Sequence, residues 1–310
     1  DPSPDQSAAA HALLGRLLAG DDPAAAAGHL QQAGDADLLA VLQAVAPEAA
    51  PVRRDLLLGA AFLQRDELPL ARRHLERAAA GDPTSAEARA YLAHTLDRLG
   101  EPVAAGRLLE QALALDPESA LAHYFLGSHH LRLGRVAPAQ AALWEALQRD
   151  PDNAAFCVEM AEAFARQPDY VRAEEWYRAA VEAEPGDARF QLLLAQFYVD
   201  HVYHVAGAGV AAAEEAVALA PSDARAHDLV GWAYQLAGRP ADAETALRRA
   251  LALDPALVSA HFHLGSLYVR SHAADPAMQA LARLHLQRAA DLDTLGYYRA
   301  RAEMLLAGMP

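Results

Sequence analysis

The chain has no lysine and no isoleucine, one asparagine (Asn153) and one cysteine (Cys157) in 310 residues. All of its permanent positive charge is therefore carried by arginine. Lysine, isoleucine and asparagine use AT-rich codons, so their joint scarcity reads as a very GC-rich, bacterial gene rather than as function. The same bias discounts the abundant alanine as a functional signal. A single cysteine excludes an internal disulfide and a cysteine-ligated zinc site, and Cys157 reads as a small buried thiol. No apolar run reaches the roughly 18 residues that a membrane-spanning helix needs. Val210–Ala220 comes closest and is interrupted by Glu214 and Glu215. No Gly-rich phosphate loop, nucleophile elbow or zinc-protease helix is present. No catalytic residue and no cofactor is nominated, and the chain is not expected to be an enzyme.

Net charge is −15, and residues 1–50 carry seven acids against Arg16 alone. A nucleic-acid binder needs a basic stripe, so nucleic acid is not the expected partner. A basic or neutral protein partner complements this field better, although net negative charge also serves solubility alone. Fourteen histidines raise the question of a metal. His129-His130 and the pair His261 and His263 are one and two apart, which points them away from each other on a helix. His201 and His204, three apart, would share a helix face, but only Asp200 accompanies them, and no metal site is assigned. Glu159 and Glu162 also share a face. As a catalytic pair they would need an environment that splits their pKa values, which an open groove rarely supplies.

What is present is a period. Pro83, Pro117, Pro151, Pro185, Pro221 and Pro255 are spaced 34, 34, 34, 36 and 34 apart. Self-similarity at that length means stacked helical hairpins rather than one globular core. Counting back from each proline starts units near Val52, Ala86, Ala120, Ala154, Ala188, Ala224 and Val258. Each carries an apolar residue, then a small one (Gly59, Ala93, Gly127, Ala161, Ala195, Gly231, Gly265). Three further on stands a large one in six of seven units (Phe62, Leu96, Phe164, Tyr198, Tyr234, Tyr268), with His130 in the third. The second helix repeats small, large, small, as in Ala139, Leu143 and Ala146; the fifth unit is weaker, with Gly209, Ala213 and Ala216. Small residues let two helix axes approach while large ones fill the facing groove. Proline ends each second helix, and Ser85, Ser119, Asn153, Asp187 and Asp223 follow as N-caps for the next.

This pattern resembles the tetratricopeptide repeat family over residues 52–294, in seven repeats. Residues 1–51 are read as divergent N-terminal helices, near 6–19, 23–33 and 36–46, and 295–310 as a C-terminal capping helix. The first two helices weakly echo the repeat through Leu14, Gly15, Leu18 and Ala27. Two turns are longer, by two residues near 200–209 and by about five near 271–277, and Thr294 stands where proline is expected. The resemblance implies an all-α, right-handed superhelical solenoid of roughly eighteen helices. It also implies a concave groove, lined by the first helix of each repeat, that binds a peptide or partner helix. The expected groove residues include Tyr91, His94, Tyr124, Glu159, Glu162, Arg166, Gln196, Asp228, Trp232 and Phe262. Trp232 is the foremost anchor, while Tyr91, Phe125 and Phe262 are equally read as packing inside the stack. His123, His227 and His261 occupy a shared position where the family often has a packing residue. The family's chaperone-tail clamp needs Lys and Asn; here Leu56, Ala60 and Tyr91 stand at its positions. The asparagine ladder of sugar-transferase relatives is excluded by the lone Asn153.

A second reading places the working surface at the ends. Residues 7–20 carry only Arg16, with Leu13, Leu14 and Leu17 spread over more than one face, and 304–310 carry no charge, with Met304, Leu305 and Met309. Two apolar ends favour head-to-tail contacts between copies, which propagate into a filament or close into a ring. The bland alternative is that these residues fold back on neighbouring helices. The sequence begins at Asp1 rather than Met, as a processed or a cropped form would, so a cytoplasmic or exported location stays open.

Overall fold

The computed structural model describes residues 4–45, 50–271 and 275–309. The chain divides between Pro151 and Asp152 into two compact units. Unit 1 contains α1 (Pro4–Leu18), α2 (Pro23–Ala33), α3 (Ala36–Val45), α4 (Pro51–Gln64), α5 (Leu68–Gly81), α6 (Ala86–Arg98), α7 (Pro102–Leu115), α8 (Ala120–Arg132) and α9 (Val136–Arg149). Unit 2 contains α10 (Ala154–Ala165), α11 (Tyr170–Ala183), α12 (Ala188–Asp200), α13 (Val210–Leu219), α14 (Ala224–Leu236), α15 (Pro240–Leu253), α16 (Val258–Ser271), α17 (Pro276–Leu292) and α18 (Tyr297–Ala307). No strand occurs among the described residues, and the fold is an all-α helical-repeat solenoid.

The caps form where the punctuation places them. Ser85, Ser119, Asn153, Asp187 and Asp223 each accept a backbone N–H from the first turn of α6, α8, α10, α12 and α14. Each such bond satisfies a helix-terminal donor and is worth about 1 kcal/mol.

The small-on-large pattern is the packing device of each hairpin. A Cβ added at Gly59, Gly127, Gly231 or Gly265 would lie 2.5, 2.5, 2.7 or 2.8 Å from the Cγ of Leu75, Leu143, Leu247 or Leu286 on the second helix. These leucines are fully buried, as are Ala71, Ala78, Ala139 and Ala146 beside them. The same device closes α1 onto α2, where a Cβ on Gly15 would sit 2.7 Å from Leu30. What reads in sequence as a weak echo is thus the same contact. That hairpin is tied to the next pair by ions: Arg73 and Arg77 of α5 both bind Asp21, and Arg77 also reaches Asp55 on α4. The Arg77 hydrogen bond holds the Asp21 carboxyl below its ordinary range.

Unit 2 adds a second device between repeats. The hydroxyls of Tyr198, Tyr234 and Tyr268 donate to Glu174, Glu214 and Glu244 at 2.7, 2.7 and 2.9 Å. Each bond joins the first helix of one repeat to the second helix of the repeat before it. Burial, reinforced by the carboxylate, pushes the Tyr198 and Tyr234 hydroxyls up to about 12.

The longer turn of the fifth repeat is absorbed in an unexpected way. After α12 the backbone of Val202 and His204 turns left-handed, with φ of 49° at each. A π-helical turn, Val205–Gly209, then leads into α13. A β-branched residue rarely adopts such a backbone, so the insertion is accommodated by local strain plus one wide helical turn rather than by loop alone. His201 and His204 consequently do not share a helix face, because α12 stops at Asp200. In the seventh repeat, residues 272–274 of the longer turn lie outside the described residues. Where Thr294 replaces proline, the Asp293 carboxylate accepts the backbone N–H groups of Leu295, Gly296, Tyr298 and Arg299 and so starts α18. Those donors lower its pKa.

The glycine contacts give a direct test. Gly127→Val should lower the unfolding free energy by about 1–3 kcal/mol through overpacking against Leu143, read by urea denaturation followed by circular dichroism. An unchanged midpoint would mean that the helices separate at no cost.

Candidate protein-binding faces

The ten groove positions fall into two groups, three in unit 1 and seven in unit 2. In unit 1, Tyr91 and His94 project from α6 and Tyr124 from α8, around a buried Phe125. His94 stacks on Phe125 with centroids 4.4 Å apart, while Tyr91 and Tyr124 approach it at 5.5 and 5.1 Å. Burial, with Arg98 and Arg132 nearby, lowers the His94 pKa to about 4. One turn below, the buried Asp97 lies 3.2 Å from His129 and 3.3 Å from Arg132. This face is aromatic, and its outermost histidine is neutral at physiological pH.

In unit 2, Glu159 and Glu162 belong to α10 and Arg166 is its C-cap. Glu162 is engaged inward, accepting the Tyr177 hydroxyl at 2.6 Å. Burial and that carboxylate hold the hydroxyl far above its ordinary pKa. Glu159 is half-buried and Arg166 exposed. The other four positions, Gln196, Asp228, Trp232 and Phe262, meet in one cleft of about 560 Å³ formed by α12, α14, α16 and α18. At its floor Asp228 and His263, both buried, pair at 2.8 Å. The Trp232 ring lies nearly parallel on His263, with centroids 4.4 Å apart. Gln196 donates to Asp200 at 2.6 Å. Phe262 is buried against Tyr298, at 5.2 Å.

Sequence reasoning missed several lining residues. Leu192, Leu193, Leu229, His263, Arg189 and Arg225 line the cleft. The two arginines stand at the second position of their repeats, one that the family resemblance also assigns to the groove. Tyr297, Tyr298 and Arg301 come from α18, outside the repeat, where no periodic signal exists. Arg301 lies 3.9 Å over the Tyr297 ring.

The six end positions separate. Leu13, Leu14 and Leu17 are 56%, 42% and 40% exposed, and Met304 is 73% exposed. Leu305 and Met309 are instead half-buried and pack with Phe262, Leu286 and Ala302. The histidines at the shared repeat position do more than pack. His123, His227 and His261 each donate from Nε2 to the carbonyl of Pro117, Pro221 or Pro255, at 2.9, 3.0 and 3.1 Å. They thereby pin the turn that precedes their helix. Cys157 is buried. Among the described residues no group of three or more His, Cys, Asp or Glu is placed to hold a metal ion, and no helix is long and apolar enough to cross a membrane.

Family models described as tetratricopeptide repeat match residues 98–144 and 134–197, and a second such model matches 224–257. With the hairpin geometry above, these matches decide the family. The chain is a tetratricopeptide repeat protein. Solved structures agree on the fold. A chain of the human IFIT1 dimer with m7Gppp-AAAA superposes with a TM-score of 0.66 at 18% identity, covering 92% of this chain and 70% of that one. A chain of the APC/C hetero-tetramer Cut9-Hcn1 gives 0.60 at 20% identity, covering 85% of this chain and 53% of that one. This repeat protein thus spans about half the length of that relative. A tetratricopeptide repeat protein from Parabacteroides merdae gives 0.57 at 15% identity, covering 83% and 97%. Comparison with curated protein sequences returns no match. Proteins built of this repeat serve in general as protein-interaction scaffolds and are typically non-catalytic.

The lowered His94 pKa fixes the sign of a pH effect. Between the ordinary 6.5 and about 4, the unfolded chain binds more protons than the folded one, so stability is lost as pH falls through that window. Thermal melts of His94→Gln should show a shallower loss of Tm across it than the parent. Identical slopes would refute a half-buried His94 held neutral.

Proposed function

We propose that this repeat protein is a non-catalytic scaffold and that the cleft of unit 2 seats a peptide or helix of a partner protein. The observation that carries the reading is Trp232, held flat on His263, which is itself fixed by Asp228. A large aromatic pinned in place before binding adds contact area without the entropy cost of ordering a mobile side chain. Tryptophan and arginine also dominate the energetics of protein interfaces. Leucines from α12 and α14 and tyrosines from α18 surround it, which suits an apolar side chain inserted from the partner. No catalytic role is assigned to Glu159 and Glu162, since Glu162 is engaged by Tyr177. Trp232→Ala should weaken binding of an identified partner about tenfold or more with helicity unchanged, measured by calorimetry and circular dichroism. Unchanged affinity would remove the cleft from consideration.

A second reading, head-to-tail self-assembly, draws on the exposed Leu13, Leu14 and Leu17 of α1 and Met304 of α18. Because Leu305 is packed inward, Met304→Glu and Leu14→Glu are the informative changes. If the ends assemble, light scattering shows mass growing with concentration above the 33.1 kDa chain, and either substitution restores a constant monomer mass. A parent that stays monomeric at every concentration rules the reading out.

A further inference from the structure

The cleft of unit 2 has a chemical polarity that names the kind of partner it fits. The second residue of each repeat's first helix can be compared from unit to unit at one register position. In α6, α8, α10 and α16 that residue is Glu87, Leu121, Ala155 and Ser259; in α4, α12 and α14 it is Arg53, Arg189 and Arg225. A cation in the first turn opposes the helix dipole, which favours acids there. Three repeats break this local rule at the same position, the two of unit 2 in succession, and such departures concentrate at functional sites. In unit 1 the corresponding row is internally neutralised, since Arg53 binds Glu87 at 2.9 Å.

Arg189 and Arg225 do have local partners. Each grips its own cap, Asp187 or Asp223, through Nε and Nη2, which leaves Nη1 of each guanidinium outside the pair. Both side chains remain about three-quarters exposed, at 74% and 75%, and both line the cleft together with Arg301 of α18. The cleft's own carboxylates are engaged within it: Asp228 is buried and bound to His263, and Asp200 accepts from Gln196. A segment entering the cleft therefore meets arginine on one edge, leucine and Trp232 in the middle, and carboxylates already hydrogen-bonded within the cleft.

We infer that the occupant is a protein segment with an apolar anchor flanked by Asp or Glu, whose carboxylates reach Arg189 and Arg225 while the anchor fills the space over Trp232. This rests on the cleft reading above and adds the sign of charge. It runs against the preference for basic partners that the net charge of the whole chain suggests, because a local row of guanidinium groups acts at hydrogen-bond range while the remaining charge is screened beyond about 8–10 Å.

The test is a random peptide display selection on the full chain, counter-selected on Trp232→Ala. Expected are peptides that depend on Trp232 and carry acidic residues beside an apolar one. Their synthetic versions should bind Arg189→Gln/Arg225→Gln about fivefold or more weakly, and the Arg189→Lys/Arg225→Lys protein should still prefer acidic over neutral versions. Trp232-dependent peptides that are neutral or basic, or acidic peptides indifferent to the arginine changes, would overturn the charge assignment and leave the cleft standing. An absence of Trp232-dependent enrichment would overturn both.

Discussion

Five hairpins of this protein share one steric arrangement: a glycine on the first helix lies against a leucine on the second. At Gly59, Gly127, Gly231 and Gly265 the leucine of the partner helix occupies the volume where a Cβ would stand. The backbones approach closely there, and the alanines on either side of the leucine complete a nearly featureless inner surface. Dispersion grows with contact number, so residues that contribute little apolar area individually still hold the pair. The Gly15–Leu30 contact shows that α1 and α2 obey the same constraint although their sequence has drifted from the repeat.

This constraint uses the sides of the helices that face each other, so it does not itself fix the second, fifth, sixth and ninth positions of each first helix. In unit 1 they carry the aromatic set around Phe125; in unit 2 they carry arginines, leucines and Trp232. Function in a repeat of this kind is written in what differs between units, and the fold in what recurs. The Tyr–Glu bonds of unit 2 lie between the two categories. They recur at α12, α14 and α16, whereas the corresponding position of α6 is the apolar Leu96.

The sequence made the period, the caps and the small-large register legible, because each is a local rule repeated many times. Four of the cleft's lining residues, Gln196, Asp228, Trp232 and Phe262, stood among the positions that the family resemblance implies for a groove. Other features were not legible. Nothing in a proline spacing of 36 distinguishes a loop from the left-handed residues and π-helical turn that follow α12. A large-residue pattern cannot show that the hydroxyls of Tyr198, Tyr234 and Tyr268 reach carboxylates some twenty residues away. The α18 contribution was invisible because Tyr297, Tyr298 and Arg301 have no counterpart in the repeats to be compared with.

Three buried aspartate–histidine pairs, Asp55–His74, Asp97–His129 and Asp228–His263, are costly by the measure that built the rest of the stack. Desolvating a carboxylate is repaid only when its partner and geometry are good, and an apolar pair would pack in the same volume. In Asp55–His74 burial outweighs the carboxylate's attraction and lowers the histidine pKa, and the imidazole also stacks on Phe62 with centroids 5.4 Å apart. Asp228–His263 has a further consequence. The carboxylate on α14 fixes the orientation of the imidazole on α16, and the imidazole fixes the plane of Trp232 on α14. The ring that faces the cleft is thus positioned by a contact between successive repeats, and a change in the spacing of α14 and α16 would alter the cleft at the same time as the core. Stability of the stack and shape of the cleft are one variable at this point of the molecule.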